Sequence, residues 1–457
     1  MTRPFVNRET ELRLLRRWWD APGSRLAVVW GRRRVGKTAL IARFANGHRT
    51  VFHTGTRRPV GEELRTLAAA AAAAVEERDL RRDPFRDWAD ALNILARAAR
   101  DEPLLLVLDE FPELVETAPE LPSVIRALWD QIDGTSKLRL LLCGSAVRTM
   151  EATREERAPL YGRFDLSLLL HPFRPHEMSA LLPALSPADR ALTWGIVGGV
   201  PLYLQWWDQD ATVLANLAEL ACQPAAPLLS EGQLVLATEG DAGDLARQIL
   251  YAIAAGQTKH NEIADAIRAD PTRTLDRLVE LRMIERVIPV TEDPRRTRRR
   301  IYQITDNFLA FWLGVLAPHV AEIERGLGEG ILPVLMQELD DFMGPRYEEG
   351  FRAHLRRLAV AGELGPEVVA IGPYWTAAAD PAQIDAVVLA GRSRTAILAG
   401  EAKWGRQIDA TPIVRDLRRK AAALTSAAAD MRFAVCGRER VDGHADLVVT
   451  AADIFSG

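Results

Sequence analysis

Apolar and polar positions along the chain fall into two regimes. Over the first 175 residues, short and largely apolar runs alternate with longer stretches of helical period. The runs are Leu26-Ala-Val-Val-Trp30, Leu104-Leu-Leu-Val-Leu108, Leu138-Arg-Leu-Leu-Leu-Cys143 and Leu166-Ser-Leu-Leu-Leu170, with Thr50-Val-Phe-His-Thr54 as a fifth. Runs of this kind predict strands buried on both faces, and strands separated by helices predict a doubly wound parallel sheet of the α/β class. Ahead of the first run, Leu12, Leu14, Leu15, Trp18 and Trp19 lie on and around one stripe of an amphipathic helix. The stretch from Glu62 to Arg81 also reads as helix, because it contains the unbroken run Ala68 to Ala74.

Beyond His171-Pro-Phe-Arg-Pro175 the period becomes helical, interrupted at Gly198-Gly-Val-Pro201, and predicts a helical lid. Asp244 to Ala255, His260 to Ile267 and Thr272 to Leu281 then read as three helices. A hairpin follows, from Glu285-Arg-Val-Ile-Pro-Val290 to Arg300-Ile-Tyr-Gln-Ile304. Three helices and a hairpin predict a winged helix-turn-helix. The aromatic cluster in Tyr302 to Trp312 suits core packing into a helical connector. In the tail, Glu367 to Ile371, Gln383 to Leu389 and Thr395 to Trp404 read as strands, and Pro412 to Ser426 as a helix. A chain of 457 residues exceeds one ordinary core. The expected domains are 1–175, 176–240, 241–315, 316–340 and 341–457.

Composition changes this picture little. A hydrophobic fraction of 48% and a charged fraction of 26% are those of a soluble globular protein, and a net charge of −4 gives no global case for nucleic acid. No run is long and apolar enough to span a bilayer, and Met1 to Glu9 lacks the apolar centre of a signal peptide, so no membrane partner and a cytoplasmic location are expected. Cys143, Cys222 and Cys436 form neither a zinc spacing nor a disulfide framework.

The first candidate chemistry sits where the run Leu26–Trp30 ends. Gly31-Arg32-Arg33-Arg34-Val35-Gly36-Lys37-Thr38 has the G-x-x-x-x-G-K-T spacing of a phosphate loop, running on into Ala39 and an apolar helix. Glycines let backbone N–H groups curl around phosphate oxygens, and the following helix aims its positive end at them. Lys37 is the candidate for the β and γ phosphates, and Thr38 offers a hydroxyl to Mg2+. Such a loop requires an acidic strand end, and Leu108-Asp-Glu-Phe-Pro112 supplies Asp109 as the magnesium partner and Glu110 to orient or deprotonate water. Ser145, at the tip of another buried run, is placed to face the γ phosphate.

Several ordered motifs carry a resemblance to a family. Phe5-Val-Asn-Arg-Glu9, the phosphate loop, Leu108-Asp-Glu-Phe-Pro112, Leu142-Cys-Gly-Ser145, Pro159-Leu-Tyr-Gly-Arg163 and Gly198-Gly-Val-Pro-Leu-Tyr203 resemble the archaeal-type P-loop ATPases, a branch of the AAA+ and STAND-like group. The resemblance covers roughly the first half of the chain. It implies ATP rather than GTP, a sensor role for Ser145, and an arginine finger at Arg163 that would act in trans within a homo-oligomer. The Asn-Lys-x-Asp guanine reader is absent from the sequence. In the hairpin tip, Pro294-Arg-Arg-Thr-Arg-Arg-Arg300 holds five arginines, and Arg273, Arg277 and Arg282 lie in or just after the third helix. A wing so charged could straddle DNA phosphates, or be a solvated hairpin in a protein-contacting domain.

The second candidate chemistry is in the tail. Period two puts Glu401 and Lys403 on one strand face, and a tight hairpin folded about Arg392 and Ser393 brings Asp385 opposite Gly400, beside Glu401. Acidic oxygens that hold divalent metal, with an ammonium to activate water, are what phosphodiester hydrolysis requires. The order Asp385, then Glu401-Ala-Lys403, resembles the PD-(D/E)xK nuclease superfamily, with Ile384 in place of the signature proline. Such domains recur, without assigned function, at the C-terminus of archaeal-type ATPases. Phe342-Met-Gly-Pro-Arg-Tyr-Glu348 resembles that superfamily's first helix and implies Glu348 as a further metal ligand. The helix Pro412 to Ser426 adds Arg415, Arg418, Arg419 and Lys420 as a basic face for a nucleic-acid backbone. Two functions stay open: an ATPase whose nucleotide state governs a DNA nuclease, or an ATP-dependent switch or scaffold with a buried Glu401–Lys403 ion pair in an inactive domain.

Overall fold

The computed structural model describes residues 5–75, 79–132, 134–145, 150–151, 155–238, 243–365, 367–376 and 382–456. The chain divides into two compact units, Met1–Pro172 and Phe173–Gly457.

The first unit is built on five strands, β1 (Arg25–Trp30), β2 (Thr50–Thr54), β3 (Leu104–Asp109), β4 (Leu138–Gly144) and β5 (Leu166–Leu169), in the order β2-β3-β4-β1-β5 and all parallel. Alternate residues feed separate cores. Leu26, Val28, Leu104, Leu106, Leu140 and Leu142 pack into one, while Ala27, Val29, Leu105, Val107, Leu141 and Cys143 pack into the other. That two-sided burial is why the strands read as unbroken apolar runs. The amphipathic helix α1 (Glu9–Asp20) buries Leu12, Leu15 and Trp18 on the second core. The alanine-rich helix stops at Ala71, well short of the expected Arg81. Residues 72–74 form a turn, and the Ala74 carbonyl accepts a hydrogen bond from Arg49; residues 76–78 of the expected helix lie outside the described residues.

The second unit begins with short helices, Pro187–Val197, Pro201–Trp206, Val213–Leu220 and Pro227–Thr238. The helices Asp244–Ala254, His260–Ile267 and Thr272–Glu280 lead into an antiparallel pair, β6 (Ile284–Val287) and β7 (Ile301–Ile304). The expected strand through Val290 ends earlier, because beyond Val287 the chain leaves β7 and Val290 N–H donates to Pro373 O at 2.8 Å. A single helix, Gly328–Val360, then runs without a break past residue 340, where a connector was expected to give way to the last domain.

That helix covers one face of a mixed sheet: β8 (Val368–Trp375), β9 (Gln383–Ala390), β10 (Thr395–Lys403), β12 (Ala427–Gly437) and β14 (Leu447–Thr450), in the order β14-β12-β10-β9-β8. Two short strands, β11 (Gln407–Asp409) and β13 (Arg440–Asp442), pair beside it. The helix Ala410–Ala421 covers the other face through Val414 and Leu417. Strands β8, β9 and β10 are antiparallel, whereas β10, β12 and β14 are parallel.

Candidate functional site

The phosphate-loop sequence forms the turn from β1 into α2 (Lys37–Ala45). Gly31 has φ +147°, and a β-carbon there would stand 2.4 Å from the Leu170 carbonyl oxygen, so only glycine lets β1 leave the sheet at this point. Arg34 and Gly36 take positive φ values, while the Val35 side chain is fully buried as the loop's anchor. Because α2 starts at Lys37, the first-turn N–H groups, Ala39 among them, have no intrahelical partner. Arg33 is exposed and Arg32 half-buried on the loop's outer side. Lys37 is buried, and its Nζ donates to the carbonyls of Gly31 (2.9 Å) and Arg32 (2.8 Å), so its ammonium lies inside the curl of the loop.

Strand β4 stands between β1 and β3, yet the loop and the acidic strand end meet above it. Thr38 Oγ1 donates to Asp109 Oδ2 at 2.9 Å, Glu110 N–H donates to Asp109 Oδ1 at 3.1 Å, and Ser145 Oγ donates to Glu110 Oε2 at 3.1 Å. Glu110 adopts the left-handed conformation, φ 48°, at the start of the helix Phe111–Thr117, which turns its carboxylate toward Ser145. Beneath this group the Cys143 thiol has its pKa raised well above the ordinary value, by burial first and then by the Asp109 carboxylate. A hydroxyl and a carboxylate in contact beside a buried ammonium suit a magnesium–phosphate group in donor type and charge.

Sequence reasoning missed a clamp. Arg8, 5% exposed, donates through Nη2 to the carbonyls of Val35 (3.2 Å) and His171 (2.7 Å), and through Nη1 to Glu11 (3.1 Å). Arg8 lies in the motif Phe5–Glu9 that carries the family resemblance, but the motif does not display its contacts or its left-handed φ of 72° at the start of α1. Arg163, the candidate finger, is one-third exposed and forms an ion pair with Asp130 at 2.7 Å.

In the second unit the hairpin β9–β10 departs from the expected register. Ile397 is an extra residue in β10, so Gly400 lies opposite Ala386 rather than Asp385. Continuing that register by one residue sets Asp385 against Glu401. Against β8, a second irregularity leaves Asp385 and Ala386 facing the single residue Pro373. The Asp385 carboxylate turns toward β10, where it accepts the Ala402 N–H at 2.9 Å. Glu401 accepts from Lys403 at 2.8 Å and from Lys420 at 3.3 Å, so the basic helix Ala410–Ala421 contributes Lys420 to the site rather than only a solvated face.

Three carboxylates share this region. The Asp385 pKa is raised to about 7, by burial first and then by the charges of Glu348 and Glu401. Glu348 is raised too, by burial above all, with Glu401 adding repulsion and Arg352 opposing it. Burial alone would lower Lys403, but its bond to Glu401 outweighs burial and raises it. Arg352, also unforeseen, is buried and donates from Nη1 to the Asp385 carbonyl at 2.7 Å; the same atom lies 3.6 Å from Glu348. Among the described residues, no three His, Cys, Asp or Glu side chains are already drawn together as a metal cage. As donors, the oxygens suit a hard divalent cation, whose charge would oppose both the burial and the repulsion that raise the Asp385 pKa.

The five-stranded parallel sheet, with its loop at one strand tip and its carboxylates at another, defines a P-loop nucleotide-binding unit. Comparison with known proteins narrows this. Residues 5–206 match the model of an ATPase domain found predominantly in Archaea, and residues 312–413 match a family of archaeal and bacterial proteins of unknown function. The chain thus carries a Walker-type P-loop ATPase domain followed by a domain of that second family. An uncharacterised protein of Methanocaldococcus jannaschii is 25% identical over 446 residues, 95% of this chain and 96% of that one. An uncharacterised ATP-binding protein of the same organism is 52% identical over 40 residues, 9% of this chain and 68% of that one. The solved Walker-type ATPase of Pyrococcus abyssi shares the fold, with a TM-score of 0.51 and 19% identity, over 68% of this chain and 99% of that one. Among the described residues no helix is long and apolar enough to cross a membrane.

Proposed function

We propose that this ATPase is a DNA-associated protein whose nucleotide state governs a metal-dependent phosphodiester-cleaving centre in its C-terminal domain. For the ATPase half, Lys37 balances the β and γ phosphates, Glu110 orients and accepts a proton from the attacking water, and Ser145 holds the Glu110 carboxylate while sensing the γ phosphate. Thr38 and Asp109 would hold Mg2+, which when bound neutralises charge developing on the phosphates. Arg163 acts in trans in this scheme, once a neighbouring subunit draws it from Asp130.

The observation that carries the nuclease half is the buried pair Asp385 and Glu401 with half-buried Glu348 beside Lys403, in which the Asp385 pKa is raised to about 7. Mutually repelling carboxylates held out of water gain from a cation, and strongly shifted groups gather at functional sites. In this site Asp385, Glu401 and Glu348 would hold the metal, which supplies an activated water, and Lys403 stabilises the pentavalent phosphate. A second reading draws on the lysines already paired to Glu401: the domain is catalytically silent, and the protein is an ATP-dependent switch or scaffold. Purified protein incubated with labelled DNA and Mg2+ or Mn2+, with and without ATP, separates the two. Cleavage abolished by Asp385→Ala and by Lys403→Ala, with ATP hydrolysis abolished by Lys37→Ala, supports the first. ATP turnover with no cutting under any metal condition supports the second.

A further inference from the structure

The arginine-rich segment between β6 and β7 does not project as a wing. Val290 N–H bonds to Pro373 of β8, Arg394 from the β9–β10 turn donates to Val290 O at 2.7 Å, and Arg299 Nη1 donates to Trp375 O at 3.4 Å. The segment is therefore laid along the edge of the C-terminal sheet, and a cleft of about 710 Å³ opens between that edge and the short helices. Lys259, Arg298, Arg299 and Arg300 line it, together with Tyr302 and Trp375. The N-termini of the helices His260–Ile267 and Thr272–Glu280 meet in the same cleft, where His260 Nε2 lies 3.0 Å from Thr272 Oγ1.

The local carboxylates are already engaged. Asp276 pairs with Arg286, Glu292 with Arg299, and Glu262 with Lys259, while Asp270 accepts from the Thr272 N–H at 3.0 Å, the first N–H of its helix. Arg298 and Arg300 are exposed and have no carboxylate partner among the described residues. Guanidinium groups without a carboxylate partner favour phosphate, while a half-buried indole within the same cleft offers a base a stacking surface. A duplex hides its base faces, whereas a single strand presents them.

The geometry points to this cleft as a binding site for single-stranded nucleic acid, with Trp375 stacking a base and Arg298 and Arg300 contacting the flanking phosphates. The site lies close to the proposed cleavage centre. Trp375 pairs with Gln383 across the sheet, and Asp385 is two residues further along β9. At about 3.4 Å per residue and 4.8 Å between strands, their backbones are roughly 8 Å apart. A strand held on Trp375 is within reach of Asp385, so the inference names the substrate of the reading above and rests on its DNA association.

The test uses the full chain carrying Asp385→Ala, to prevent cutting, and the fluorescence anisotropy of a labelled 20-residue oligothymidine against a duplex of equal length. Single strand should bind more tightly than duplex. Adding Trp375→Ala should weaken single-strand binding by roughly 5- to 100-fold, with Trp375→Phe restoring most of it. Arg298→Ala with Arg300→Ala should lower the slope of log affinity against log salt by about 1.4. Near-ultraviolet circular dichroism and thermal melting of the same variants should stay at the wild-type level, which shows that the fold survives. Single-strand binding that ignores both Trp375→Ala and the arginine pair overturns the cleft while leaving DNA association intact. Duplex preferred over single strand also overturns it. Failure to bind any nucleic acid overturns this inference together with the DNA association on which it rests.

Discussion

Arg8 offers the sharpest test of how the phosphate loop is held, because nothing in the loop's own motif requires it. Its guanidinium spans α1, the loop and the segment after β5, donating to Val35 O at 3.2 Å and to His171 O at 2.7 Å. A hydrogen bond with one charged partner contributes about 1.5–3 kcal/mol. The bond to Val35 is long, and the Glu11 pair opens to water once broken, adding about 1 kcal/mol at most. Arg8→Ala should therefore destabilise the first unit by about 3 kcal/mol. For a unit of this size that is a fall of roughly 6–12 °C in melting temperature. The second consequence concerns binding. Val35 sits between two residues of positive φ, Arg34 and Gly36, so releasing its carbonyl lets the loop relax out of its phosphate-binding curl. A loss of 1.4 kcal/mol there is a tenfold weaker Kd. Differential scanning calorimetry with titration of a non-hydrolysable ATP analogue checks both, and Arg8→Lys, which keeps charge but not the fork, should recover less than half of either loss. A variant melting within 2 °C of wild type, with analogue affinity within twofold, refutes the clamp.

Two further outcomes follow from the packing. Gly31→Ala places a β-carbon 2.4 Å from a backbone oxygen at positive φ, so β1 and the residue after β5 must separate. A loss above about 2 kcal/mol is expected in urea unfolding, and a change within 0.5 kcal/mol would sink the close-approach reading. His354, buried in the helix Gly328–Val360, has its pKa lowered to about 4 by burial first and then by the Arg357 charge, with Asp453 opposing and His176 adding to the effect. A base with a depressed folded pKa gives stability that is complete above the unfolded value near 6.5 and lost as pH falls toward 4. Between pH 7 and pH 5 wild type should lose about 2 kcal/mol more than His354→Gln, and parallel pH profiles for the two proteins would show that His354 is protonated or solvated in the fold.

What could be read from the sequence, and what could not, follows the range of each interaction. The phosphate loop was legible because its chemistry is local: Gly31, Gly36, Lys37 and Thr38 act within eight residues through backbone and helix geometry. Strands β1 and β3 were legible because burial on both faces leaves no polar position within Leu26–Trp30 or Leu104–Leu108 to confuse the period. Arg8 and Arg352 were not, since each reaches a backbone carbonyl brought close only by the fold, Val35 and His171 for one and Asp385 for the other. The arginine-rich tip read as a free wing because its docking on β8 depends on Val290 and Pro373, two residues with no polar side chain.

The hairpin β9–β10 shows how one irregular residue decides chemistry. With regular pairing about Arg392 and Ser393, Asp385 would face Gly400, and the alternation of strand faces would turn it away from Glu401. Ile397 sits in an apolar run where an extra residue leaves no mark on the pattern, yet its bulge advances the pairing by one. The carboxylates then share a side at a cost: their repulsion adds to burial, the larger cause, in raising Asp385 to about 7. An apolar domain under selection for stability alone could shed that cost by losing either the bulge or one acid. Under the proposed cleavage function that cost prepares the site for positive charge, with Lys403 and Lys420 already filling part of that role on Glu401.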